Sequence, residues 1–127
     1  MKHVVSAMLI VVGVIHLIPV TGVLGGERLA ALYGLRFDEP NLAILMRHRA
    51  VLFGLLGAFM VFAAFRPALQ TLAFVGGFVS VVSFLWLAWS VGGYNAEVNR
   101  VFVADLVALG CLMVGASLSV TLSLRTR

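Results

Sequence analysis

The stretch LQTLAFVGGFVSVVSFLWLAWSV, residues 69–91, runs for 23 positions without a charged side chain. A helix needs roughly 20 residues, at 1.5 Å each, to cross a hydrocarbon core of about 30 Å. This stretch is long enough. Its apolar residues are continuous rather than alternating, and a closed membrane barrel needs at least about eight strands, so strands are not an alternative. Working outward, three more apolar runs of similar length appear at 4–20, 42–65 and 101–124. The reading is an all-α, four-transmembrane-helix antiparallel bundle forming a single integral membrane domain over residues 1–127.

Composition agrees. The 127 residues are 62% hydrophobic and 11% charged, with a mean hydropathy of +1.12. Soluble domains carry roughly 45–50% apolar and about 25% charged residues. The net charge of +4 could suggest nucleic acid, but no basic stripe tracks a phosphate backbone, so none is expected as a partner. The lipid bilayer is. The single cysteine, Cys111, allows no internal disulfide and has no metal-ligand spacing around it. It reads as a small packing residue.

Breaks between the runs carry helix punctuation. Pro19 and Thr21-Gly22 close the first run, Asp38-Glu39-Pro40 caps and opens the second, Arg66-Pro67 separates the second from the third, and Gly92-Gly93 ends the third. Short turns make sequential helices antiparallel neighbours. Lys2 followed by an apolar run also describes a signal peptide. No small-x-small cleavage site follows it, so the run is expected to be retained. The longer first connection contains a short helix over 26–33, stopped by Gly34 in the left-handed conformation. This helix is expected at the membrane interface, with Tyr33 and Phe37 at headgroup depth.

Four spans put both termini on one side, where Lys2, Arg66, Arg125 and Arg127 face no acid. On the other side Arg28, Arg36, Arg47, Arg49 and Arg100 are balanced by Glu27, Asp38, Glu39, Glu97 and Asp105. The positive-inside rule then places both ends in the cytoplasm. Small residues four apart, Gly54 and Ala58, Gly76 and Ser80, and Cys111, Gly115, Ser119 and Ser123, provide helix-packing faces. The same faces would serve a homo-oligomer.

Counting depth from the span ends brings His16, Arg47, His48, Arg49 and Asp105 to similar levels in the outer half of the bundle. Tyr94 and Asn95 join that set, and together with Glu97, Asn99 and Arg100 they crowd the last connection on the same side. An Arg or Asp near a span centre costs roughly 2.5–3.5 kcal/mol on insertion scales, so such groups point inward, pair or snorkel. Arg47 and Arg49 differ by about 200° around the helix, so only one of them can face a shared cavity. Asp105 is expected to pair with that arginine or with His48.

These seven residues are the candidate ligand-binding set. One use is purely structural, an intramembrane ion pair fixing helix register. A second is a polar pocket for a small amphipathic or lipidic molecule, quinone-like or isoprenoid-like, with its tail between helices. A third is a membrane enzyme using His48 or Asp105 for acid–base chemistry, for which no nucleophile motif speaks. A fourth makes His16 and His48 axial ligands of a haem. No Gly-rich phosphate loop, His-Glu-x-x-His zinc motif, Gly-x-Ser-x-Gly elbow or Cys-x-x-Cys pair occurs.

The run Leu32-Tyr33-Gly34-Leu35-Arg36-Phe37-Asp38-Glu39-Pro40-Asn41-Leu42, then Arg47-His48-Arg49-Ala50, Gly54 and Gly92-Gly93-Tyr94-Asn95, resembles small bacterial inner-membrane proteins of the DoxX-like type. The likeness covers most of the chain. It implies four spans in the bacterial inner membrane and, from relatives linked to quinone-coupled redox systems, a role accessory to a redox or envelope process. Look-alikes are sometimes labelled phosphopantetheine adenylyltransferase, whose His-x-Gly-His or Thr-x-Gly-His motif is absent at His16 and His48.

Overall fold

The computed structural model describes residues 1–36 and 38–127. The described chain is helical apart from short connections, with no strand among those residues. In chain order the elements are α1 (Lys2–Leu17), continued by a 3-10 segment (Ile18–Leu24), then α2 (Gly26–Tyr33), α3 (Pro40–Ala63), α4 (Pro67–Val91) and α5 (Ala96–Arg125). Four segments are long and apolar enough to cross a membrane: Lys2–Leu24, Pro40–Ala63, Pro67–Val91 and Ala96–Arg125. The protein is a multi-pass membrane protein built as an all-α four-helix bundle. α1 packs against α3 and α5, and α4 packs against the same two. α1 and α4 are therefore on the diagonal.

Local chemistry sets the boundaries. Pro19 has no N–H to give the turn before it and crowds the carbonyl four residues back. The α-helix accordingly ends at Leu17, and the chain goes on as a tighter 3-10 segment rather than stopping near Pro19. Glu39 caps α3: its carboxylate accepts from the backbone N–H groups of Asn41 at 3.0 Å and Leu42 at 2.8 Å, and Pro40 occupies the first turn. Those two bonds hold the Glu39 carboxyl below its ordinary pKa of 4.5. Gly34 takes φ +66° and ends α2, as its position in the sequence predicts.

One stripe of each inner helix makes the core. On α1 it is Val5, Leu9, Val12, Gly13 and His16; on α5 it is Asp105, Ala108, Leu112 and Gly115. Met60, Ala63, Ala73, Phe74 and Val81 complete it from α3 and α4. Glycines allow the closest approaches. A Cβ on Gly57 would lie 2.7 Å from the Gly13 carbonyl oxygen, and one on Gly13 would lie 2.9 Å from the Gly57 carbonyl oxygen. The α1–α3 crossing is thus backbone against backbone. Gly77 faces Met60 and Leu112, and Gly115 faces the Phe74 ring. The tight contacts fall on Gly57 and Gly77, one residue off Ala58 and Gly76; Ala58 is exposed.

α2 lies across the ends of the bundle remote from the termini. Leu29 is fully buried and Tyr33 nearly so, packed with Met46, Val98 and Val101. The apolar side of α2 therefore faces the bundle. Tyr33 turns inward against the bundle, and Phe37 lies outside the described residues.

Candidate functional site

His16 and Asp105 continue the packing stripes of α1 and α5 by one helical step, four residues after Val12 and three before Ala108. That register directs polar side chains into the interior, where they are the two buried members of their class among the described residues. His16 Nδ1 is 2.9 Å from the Val12 carbonyl oxygen and Nε2 is 2.9 Å from Ser80 Oγ. A carbonyl only accepts, so Nδ1 carries the proton. In the neutral ring Nε2 then accepts from the Ser80 hydroxyl, linking α1 to α4.

Asp105 differs. Only 9% of its surface is exposed, yet among the described residues it makes no hydrogen bond and no ion pair within 4.0 Å. Its oxygens are not sealed in, because no fully buried side-chain oxygen or nitrogen in the described chain lacks a partner. They border a cavity of about 250 Å³ that Asp105 lines with His16, Tyr33, Arg49, Glu97 and Arg100. Apolar walls come from Ile15, Ile18, Pro19, Leu32, Phe53 and Val101. Arg49 is the cation whose field reaches Asp105.

Arg49 is held firmly. Its Nη1 donates to the Tyr33 hydroxyl at 2.6 Å, and its guanidinium carbon sits 4.4 Å from the Phe53 ring centroid and 5.4 Å from that of Tyr33. A planar cation stacked between two rings is favoured by their quadrupoles. The His16 ring also packs on Phe53, centroid to centroid at 5.5 Å.

Of the seven residues singled out in the sequence, His16, Arg49 and Asp105 meet at this cavity. The other four do not line it. Arg47 is exposed, and its Nε donates to the Val23 carbonyl at 2.9 Å, tying α3 to the end of the 3-10 segment. His48 is exposed. Tyr94 stacks on Phe102 with centroids 5.6 Å apart. Asn95 caps α5, accepting from Val98 N–H at 2.8 Å, and donates to the Tyr33 carbonyl at 2.7 Å. It fastens α2 over the cavity without facing into it. Glu97 and Arg100, read from the sequence as crowding the last connection but not placed in the binding set, join the lining, and Tyr33 joins it unforeseen. The i, i+3, i+4 spacing of Leu29, Leu32 and Tyr33 ahead of the Gly34 stop was the signal that could have turned Tyr33 inward. Glu97 and Arg100, three apart near the start of α5, line the same cavity as Asp105.

The pairing expected for Asp105 is accordingly looser than an ion pair: Arg49 is its electrostatic neighbour, and His48 lies elsewhere. The described ion pair within 4.0 Å is Arg36 with Asp38, at 3.8 Å and largely in solvent. His16 and His48 do not converge on one cavity, and both nitrogens of His16 are engaged. What the arrangement offers is a fixed donor, Arg49, facing an acceptor, Asp105, across an apolar-walled space. No family model matches the chain, and neither does any curated protein or solved structure.

Proposed function

We propose that this membrane protein binds the polar head of a small amphipathic or lipidic molecule in the cavity beneath α2. The observation that carries the reading is Asp105, nine-tenths buried with an unpaired carboxyl bordering the cavity. A hydrogen bond to a charged group contributes about 1.5–3 kcal/mol net, so a ligand that donates to the Asp105 carboxylate gains on that order. Arg49, locked against Tyr33 and Phe53, adds a donor that loses little freedom on binding. Among quinone-like and isoprenoid-like molecules, the reduced quinols and the isoprenoid alcohols carry the hydroxyl donor that the bond to Asp105 requires. The DoxX-like resemblance and the acid-free cluster of Lys2, Arg66, Arg125 and Arg127 support a bacterial inner membrane with cytoplasmic termini, and a role accessory to a redox or envelope process. Catalysis by His48 with Asp105 gains no such support, since His48 is outside the cavity.

The test is purification in mild detergent followed by mass spectrometry and a visible spectrum, for the native protein and Asp105→Asn. The expected result is an amphiphile retained in stoichiometric amount by the native protein and lost from the variant. Equal retention by both, or bulk lipid alone in both, overturns the reading. A Soret band would replace it with haem binding.

A further inference from the structure

The cavity shares part of its wall with a neighbouring space. Arg49 and Phe53 also border a second space of about 270 Å³, a shallow groove between α3 and α4 completed by Leu52, Leu56 and Ser80. The partition between the two is thin: the Phe53 ring, the Arg49 guanidinium stacked on it, and the hydrogen bond from Ser80 to His16. Neither space alone reaches the ~300 Å³ at which small-molecule sites begin, but together they exceed it. The groove is apolar beyond Ser80. It runs from Arg49 to Leu56, about 10 Å along α3 at 1.5 Å per residue, away from α2 and toward the middle of the span.

The charges of the cavity constrain the head. Arg49 and Arg100 are matched by Glu97 and Asp105, so an anionic or a cationic head would meet as much repulsion as attraction. Arg49 offers donors, and the unpaired Asp105 carboxylate demands one. An uncharged group that both donates and accepts, such as a hydroxyl, satisfies the two at once.

We infer that the ligand is a long-chain amphiphile with an uncharged, hydrogen-bond-donating head beside Asp105 and Arg49, and that its chain leaves the bundle between α3 and α4 along Leu52 and Leu56. This rests on the proposed binding role and names its ligand class and route. The chain would then lie parallel to the acyl chains of the surrounding leaflet, entering sideways from lipid without passing α2. Phe53 is the residue around which head and chain divide.

The probe is hexadecanol carrying a diazirine at mid-chain, photolysed with the native protein in detergent and mapped by peptide mass spectrometry. Label is expected on α3 around Leu52–Leu56 and on α4 around Ser80–Ser83. Unlabelled hexadecanol should compete, whereas its methyl ether, which keeps the acceptor and lacks the donor, should compete about ten-fold or more weakly, as expected for a lost bond to a charged group. Leu52→Trp, at a position already half exposed to lipid, should remove the α3–α4 label while the protein stays folded by circular dichroism. Label elsewhere that hexadecanol still displaces overturns the route but leaves a binding site. Equal competition by the methyl ether, palmitate or hexadecylammonium overturns the head assignment. Label that hexadecanol does not displace overturns the binding role itself.

Discussion

His16 and Asp105 hold equivalent places on α1 and α5, but their polar atoms are treated differently. Those of His16 are both bonded, one to its own helix and one to Ser80. Those of Asp105 bond to nothing among the described residues. A register-fixing ion pair would be strongly destabilised by losing one partner, typically by about 3–5 kcal/mol. Asp105→Asn removes no ion pair within 4.0 Å, so its unfolding free energy in detergent should change by less than about 1 kcal/mol while ligand retention is lost. Denaturant titration of the two proteins checks this. Glu39 carries the pH dependence at this scale. Its folded pKa is depressed by the N–H groups of Asn41 and Leu42, so its contribution is fully present above pH 4.5 and lost as pH falls through the lower folded value. Glu39→Ala should therefore be less stable at pH 7 and should lose less on acidification. Thermal melts at pH 7 and pH 3 measure the difference.

At the scale of helices, contact in lipid depends on how closely backbones approach, because no hydrophobic drive acts between them. The Gly13–Gly57 crossing leaves no room for a methyl group, and its neighbours are carbonyl oxygens that cannot swing away. Gly57→Ala should cost about 1–3 kcal/mol, as overpacking does. Gly110→Ala, where a Cβ meets nothing within 4 Å, should be neutral or gain up to about 1 kcal/mol from helix propensity. Unfolding of both variants in one detergent decides the matter. Spans and turns were legible in the sequence because length, Pro40, Pro67 and Gly34 act locally. Which glycine touches which helix was not, since Gly54, Gly57, Gly76 and Gly77 look alike until a crossing angle selects one face. Pro19 with Thr21-Gly22 was read as closing the first helix; the α-helix does end at Leu17, but the chain continues as a 3-10 segment to Leu24.

Across the whole molecule, packing is uneven. The buried residues of α4 are Ala73, Phe74, Gly77 and Val81, all in its first two thirds. Beyond them Trp86, Leu87, Trp89 and Val91 are more than half exposed. A groove toward α5 flanks this end, lined by Val82, Leu85, Trp86, Trp89, Phe102 and Leu109. Segments with few buried contacts open at lower free energy than the core. Amides of residues 82–91 should thus exchange faster than those of 73–81 in detergent, by hydrogen exchange with mass spectrometry. Uniform protection along α4 would contradict this.

Four apolar spans, their turns and the short helix between the first two follow from the sequence alone, because each rests on length, hydropathy or the chemistry of neighbouring residues. The choice of Arg49 over Arg47, the inward turn of Tyr33, the exclusion of His48 and the groove between α3 and α4 were decided only when the helices packed. Each depends on the rotation of one helix against another, and a few tens of degrees of rotation move a side chain from lipid to cavity without altering the apolar pattern that makes the helix.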